Sequence, residues 1–320
     1  MLVNMSAEYS FYPVCRPSRT SILVAAARAL GARDRDPRVR NPDWLAERLI
    51  GPEERAMLGP LAELLDRSSE QAGENTEVLI ARLLIPRTRF IDARLEAAVE
   101  GGIAQLVILG AGFDTRAHRF SEILKDVRVF EVDHPDTQRV KIRRVREAIG
   151  EPPNNLAYVA VDFRTDELGN ALTRAGYVAR RKAFFIWEGV TMYLPAEAVQ
   201  ATLRWVASNA ASESTIVFDY TYETAIKLMR DLDPDKLPAS AKESAMRFRS
   251  LMSDEPWIFG LPDKAEREFL ADLGLELRKV LGMNSTEAVE TYLTRRDGTI
   301  FGTYPATERQ GYLILEASVP

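Results

Sequence analysis

An apolar run that ends in two glycines and an acid is the first stretch of this chain that could do chemistry. Leu106-Val-Ile-Leu109 leads into Gly110-Ala-Gly112-Phe-Asp114-Thr-Arg116. Glycine there lets the backbone turn tightly and admits a ligand where a Cβ would clash. A dinucleotide fingerprint wants a third glycine three residues after the second, and position 115 is Thr. Asp114 would also repel a pyrophosphate. An acid in the turn suits a ligand with a positive end instead.

More acids close the following apolar runs. Phe130-Glu131-Val-Asp133-His-Pro sets Asp133 about 20 residues beyond the glycines, where a carboxylate can accept both hydroxyls of a ribose. Glu131 points to the opposite face from its neighbours and is the weaker ligand. Val161-Asp162-Phe163-Arg164 offers a side-chain acceptor for an adenine amine and a backbone N–H for a ring nitrogen, although a helix N-cap has the same spacing. Ile186-Trp187-Glu188-Gly189 ends in a lone carboxylate that must be paired if half-buried, and a ligand ammonium is one partner. Pro86-Arg87-Thr-Arg89-Phe-Ile-Asp92 brings an arginine that could clamp a carboxylate through two parallel hydrogen bonds. S-adenosylmethionine carries a ribose, an adenine, an ammonium and a sulfonium, and it answers this set better than a nicotinamide dinucleotide does.

These residues need elements to hold them. Strands are expected at Leu106–Leu109, Val127–Val132, Tyr158–Val161, Ala183–Trp187 and Thr215–Phe218, with helices between them at 116–125, 135–149, 165–175 and 195–210. Alternation of this kind calls for a doubly wound α/β fold with a mostly parallel sheet. Leu275–Leu281 and Tyr312–Glu316 add two strands, and the last can return antiparallel because no helix follows it. Residues 1–100 read as an N-terminal helical cap, with helices at 18–30, 42–49, 52–65, 75–84 and 89–99. Residues 101–320 read as the α/β domain, with a helical insertion at 222–265 that helps to cover the site.

Composition bounds the function. The chain has 320 residues, is 46% hydrophobic and carries a net charge of −5, so it can bury a core and has no basic excess to attract nucleic acid. One cysteine, Cys15, excludes an internal disulfide and a cysteine-based zinc site. It reads as a small apolar residue rather than a nucleophile. No run is long enough to span a bilayer, and the N-terminus lacks a leader pattern, so a cytoplasmic location is expected. No metal spacing is seen.

Taken together, Arg-Thr-Arg89-Phe-Ile-Asp, Leu-Gly110-Ala-Gly112-Phe-Asp-Thr-Arg, Phe-Glu-Val-Asp133-His-Pro, Val-Asp162-Phe163-Arg and Trp-Glu188-Gly-Val-Thr-Met-Tyr-Leu resemble the leucine carboxyl methyltransferase family, in family order, with a weaker match at Trp257-Ile-Phe-Gly. The resemblance implies a seven-stranded class I methyltransferase sheet with an antiparallel last strand, and S-adenosylmethionine as donor. It implies Arg89 for the donor's carboxylate, Gly110 for its methionine part, Asp133 for the ribose, Asp162 and Phe163 for adenine, and Glu188 for the amino-acid end. Gly112 and Asp114 complete the turn. The small-molecule branch is the nearer one, because the N-terminal lysine of the phosphatase-modifying branch has no counterpart in Ser18–Leu30.

The acceptor is then expected to be a small carboxylic acid, which is already ionised and needs no general base. Only two histidines are present, His118 and His134, and both are assigned structural or solvated roles. Tyr193, Tyr220 and Tyr222 follow the fourth and fifth strands and, with Arg19 of the cap, could orient that carboxylate. A phenol or amine acceptor, a nicotinamide oxidoreductase and a non-catalytic donor-binding protein are the competing readings.

Overall fold

Seven strands build one sheet in this computed structural model, which describes residues 17–58, 76–236, 242, 246, 255–301 and 311–320. They are β1 (Gln105–Leu109), β2 (Arg128–Asp133), β3 (Leu156–Ala160), β4 (Ala183–Trp187), β5 (Thr215–Tyr220), β6 (Glu276–Gly282) and β7 (Leu313–Ser318). Their order is β3-β2-β1-β4-β5-β7-β6. The first five run parallel, and β7 is antiparallel to both β5 and β6. The doubly wound α/β architecture and its reversed last strand are therefore as the sequence implies.

β1 and β4 are buried along their whole length, as expected for strands covered on both faces. Side-chain alternation divides the apolar residues between two layers. Val107, Leu109, Phe185 and Trp187 pack on one side, and Leu106, Ile108, Phe184 and Ile186 on the other. The chain order reverses at β1, with β2 on one flank and β4 on the other. The carboxyl ends of those three strands are where such folds bind ligands.

The longer α-helices among the described residues are α1 (Arg19–Gly31), α2 (Pro52–Leu58), α3 (Thr76–Glu100), α4 (Arg116–Arg119), α5 (Pro135–Ala148), α6 (Leu168–Arg174), α7 (Ala196–Asn209), α8 (Glu223–Asp231) and α9 (Glu266–Ala271). Two expected helices, at 75–84 and 89–99, are one: α3 runs through Pro86. Proline removes a backbone donor and crowds the preceding turn, but buried Leu84, Ile85, Phe90 and Ile91 on either side hold the helix together. The helix expected at 116–125 covers only Arg116–Arg119 before turns take over. After α8 comes a 3-10 turn at Pro234–Lys236, while residues 255–261 form a non-helical strap. Cys15, residues 59–65 of the third expected helix and most of 237–254 lie outside the described residues.

α1 packs on α3, and its apolar core is shared with Phe113 and with Val140 and Val145 of α5. The cap therefore sits directly on the glycine turn. Among the described residues, no helix is long and apolar enough to cross a membrane, and no cluster of metal-binding side chains is present.

Candidate functional site

A cavity of about 970 Å³ opens at the carboxyl ends of β1, β2, β3 and β4 under α1 and the 255–258 strap. Gly110, Gly112, Asp114, Asp133, Asp162, Phe163, Glu188, Tyr193 and Arg19 all line it. The structure thus brings together residues spread over more than half the chain.

Both glycines of the turn have left-handed backbones, with φ of +64° at Gly110 and +46° at Gly112. A Cβ on Gly110 would lie 2.2 Å from Val190 Cγ2, and one on Gly112 would lie 3.2 Å from Ser21 Cβ of α1. The turn is closed down between β4's exit loop and the cap. Gly110→Ala is expected to cost at least about 1–2 kcal/mol from its left-handed backbone alone. That corresponds to a fall in Tm of several degrees. Adding Val190→Ala should recover the clash but not the backbone cost, and thermal melts of both variants check this.

Asp133 ends β2 and accepts hydrogen bonds from the N–H of Gly112 and, at 2.6 Å, from that of His134. Burial pushes its pKa up, against the pull of those two N–H groups. One carboxylate therefore ties the glycine turn to the start of α5. His134 itself is the N-cap of α5, its Nδ1 accepting from Asp136 N at 3.3 Å, which is the structural role expected of it. Asp162 Oδ1 accepts from Arg164 N at 2.9 Å, so the N-cap-like use of this acid is present beside its place on the cavity wall. Phe163 stands 6.3 Å from Trp187, centroid to centroid.

Glu188 belongs to a connected run of buried ion pairs. Arg28 pairs with Asp43, Asp43 with Arg119, Arg119 with Asp92, and Asp92 with Arg116. Arg116 reaches both Asp114 and Glu188, the latter at 2.6 Å. Glu188 then meets Arg87 at 2.8 Å, and Arg87 meets Asp219 at 2.8 Å. Every member has a side chain at most 8% exposed. Burial alone would raise the pKa of Glu188, but Arg116 and Arg87 outweigh it and hold it well below the usual carboxylate range. Asp114 is lowered in the same way: burial opposes ionisation and Arg116 wins. Five carboxylates face four guanidiniums in this run, which leaves one negative charge beside the cavity. Buried net charge is costly unless compensated, so the site favours a cationic ligand.

Of the two arginines in the Pro86–Asp92 segment, Arg87 lines the cavity and Arg89 does not. Arg89 donates to the carbonyls of Pro37 and Arg40 at 2.9 and 3.3 Å and does not line the cavity. Arg87 Nη2 is buried with no hydrogen-bond partner among the described residues, which leaves a donor for a ligand carboxylate. The signal was in the sequence. Leu84, Arg87, Ile91 and Leu95 share one helical face, so an unbroken helix turns Arg87 inward and Arg89 outward.

Of the three tyrosines expected around an acceptor, only Tyr193 lines the cavity. Tyr220 and Tyr222 both donate to Glu266 Oε1 on α9, at 2.6 and 2.5 Å, and fasten the insertion to the end of β5. Burial pushes the Tyr193 phenol up to about 12. It contacts Trp257, which stacks on Tyr312 with centroids 5.8 Å apart. Tyr312 in turn donates to Asp219 and lies 2.5 Å from Arg87 Nη1. The strap is anchored at its start by Glu255, whose Oε2 accepts from Ser18 Oγ at 3.1 Å, Thr20 N at 3.1 Å and Thr20 Oγ1. The N–H groups of Ile258 and Phe259 donate to Met192 O at 2.7 and 3.1 Å. Glu255, Trp257 and Tyr312 were missed because nothing local in the sequence ties them to the strand ends. His118 is not on the cavity wall, and burial pulls it down to about 4, so it is a neutral core imidazole.

The sequence of the whole region matches the model of the leucine carboxyl methyltransferase family over residues 21–207. A protein of Frankia alni named "Putative S-adenosyl-L-methionine-dependent methyltransferase" is 31% identical over 255 residues, covering 79% of this chain and 84% of that protein. One of the same name from Mycolicibacterium vanbaalenii is 30% identical over 283 residues, covering 86% and 88%. The crystal structure of magnesium protoporphyrin IX methyltransferase from Synechocystis PCC 6803 aligns with a TM-score of 0.44 at 11% identity, over 76% of this chain and 87% of that one. Motif order, strand order and the matched span agree, and the chain belongs to the leucine carboxyl methyltransferase family of class I methyltransferases.

Proposed function

We propose that the protein transfers the methyl group of S-adenosylmethionine to a carboxylate oxygen of a small molecule and so makes a methyl ester. The residues present fit that donor. Gly110 and Gly112 let the turn pass close against Val190 and Ser21 while it stays on the cavity wall. On this reading Asp133 takes the ribose hydroxyls, and Asp162 and Phe163, on the same cavity wall, take adenine. On the same reading Glu188 takes the ammonium, and Arg87, with its unpartnered Nη2, takes the carboxylate role first expected of Arg89. The ion-pair run's excess of one carboxylate complements the donor's own net positive charge. When bound, the donor supplies a sulfonium methyl for in-line displacement.

The observation that carries the choice of acceptor lies around Tyr193. Its phenol is held neutral up to about 12 by burial, as is that of neighbouring Tyr312, which burial raises well above its ordinary value. Among the described residues lining the cavity, the imidazole present, His134, stands with Asp133 and Asp162 at the ribose and adenine edge. An acceptor that must lose a proton finds no base in these groups. A carboxylate needs none, and the chain's task reduces to holding it in line at attack distance, which can lower the barrier by several kcal/mol. Arg19 and Tyr193 are the groups assigned to orient it.

One observation favours a second reading. Glu255 puts a carboxylate on the same wall, where it could serve as base for a phenol or amine. The test separates the two. With tritium in the donor's methyl group, mild alkali is expected to release the label from the product as methanol. Label that stays bound through alkali treatment rejects the ester and favours the phenol or amine.

A further inference from the structure

Beneath the ribose edge lies a buried ammonium that the donor site does not yet account for. Lys141, on α5, has a side chain only 1% exposed, with Nζ 2.6 Å from Oε2 of Glu131, itself 1% exposed. Glu131 and Asp133 are two apart on β2, so both face the α5 layer. Around the pair stand His118 on α4, Asp114 in the glycine turn and Tyr158 on β3, whose hydroxyl is buried with no hydrogen-bond partner. His134 and Asp136 begin α5, and Arg146 in its last turn faces Tyr158. Gln138 Nε2 donates to the Glu131 carbonyl at 3.2 Å.

A buried ion pair is a poor device for stability, since apolar side chains of equal volume do as well or better. Its use has to be sought in what the charge does to its neighbours. We propose that Lys141 is a positioning residue for the donor: its ammonium, held by Glu131, keeps the Asp133 carboxylate ionised and set to receive the ribose hydroxyls. The proposal rests on the donor-site reading above. Burial drives Asp133 towards its neutral form, which would turn one ribose acceptor into a donor. The N–H groups of Gly112 and His134 resist this, and Lys141 adds a positive charge from below. Burial also pushes Glu131 up to about 7. In acid, a protonated Glu131 leaves the ammonium to act on Asp133 alone.

The test is calorimetric binding of S-adenosylhomocysteine from about pH 5 to pH 8. It compares wild type, Glu131→Gln, and the double variant Glu131→Gln/Lys141→Met, which removes both charges at nearly constant volume and avoids stranding a buried acid. Thermal melts verify folding. Losing the ammonium raises the Asp133 pKa, so the pH at which affinity falls off should move up by about one unit in the double variant. That is roughly tenfold weaker binding below the limb. Glu131→Gln keeps the ammonium and should leave the limb at or below that of wild type. The proposal is overturned if the double variant's limb stays with wild type, or if Glu131→Gln alone moves it up as far. Should wild type itself not bind at any pH, the donor-site reading fails and takes the proposal with it. Wild-type binding with an unmoved limb sinks only the role of Lys141.

Discussion

Asp133→Ala is expected to weaken S-adenosylhomocysteine binding by about 100-fold or more while the protein stays folded. A carboxylate that accepts two ribose hydroxyls makes two charge-assisted hydrogen bonds, each contributing about 1.5–3 kcal/mol. Their loss, at 1.4 kcal/mol per decade, gives at least two decades in affinity. The same side chain accepts the N–H of Gly112 and of His134, so its removal also slackens the glycine turn against α5. Calorimetry measures the affinity, and a melt in the absence of ligand shows whether the fold survives. Affinity within about threefold of wild type would remove Asp133 from the donor site.

The second large effect is expected at Glu188. Replacing it with glutamine leaves Arg87 and Arg116 short of a charge they share. Breaking a buried pair from one side costs about 3–5 kcal/mol. For a chain of this size that lowers Tm on the order of 10 °C at neutral pH. The pH dependence has a definite sign. The Glu188 pKa in the folded protein lies far below its ordinary value because Arg116 and Arg87 overcome the effect of burial. Its contribution to stability is therefore fully present above the ordinary value of about 4.3 and is lost as pH falls below that. The Tm gap between wild type and Glu188→Gln should be widest at neutral pH and narrow in acid below about pH 4. Glu131 behaves in the opposite sense: raised to about 7 by burial, it contributes most below its ordinary range and loses that contribution as pH rises towards 7. A gap that is absent at neutral pH, or that stays constant into acid, would show that the ion-pair run does not depend on Glu188.

The parallel part of the sheet was legible because each of the first five strands is read from a short apolar run that leads into a glycine or an acid, and those runs carry their own boundaries. The ends of β1, β2 and β4 placed Gly110, Asp133 and Glu188 without any tertiary information. What local pattern could not show was direction. Pro86 read as a break, whereas the helix runs through it and turns Arg87 to the cavity wall; Arg89, which the family resemblance implies, faces away from the cavity. Tyr220 and Tyr222 sit at the right strand end, but their hydroxyls turn to Glu266, 46 and 44 residues away in the chain. The Glu255 anchor spans an even longer separation to Thr20. The run of ion pairs from Arg28 to Asp219 was invisible for the same reason: apart from Asp114 and Glu188, which were read as acids at strand ends, its members read alone as surface charges, and only the packing of α1 and α3 onto the sheet buries them together.

The central claim is that the loops leaving this sheet hold an adenine nucleoside with an amino-acid tail and not a dinucleotide. Titration of the purified wild-type protein with S-adenosylhomocysteine, and separately with NAD, in one calorimeter tests it most directly. One-to-one binding of the first with no heat from the second is the expected result. Heat from NAD alone, or from neither, would contradict the account.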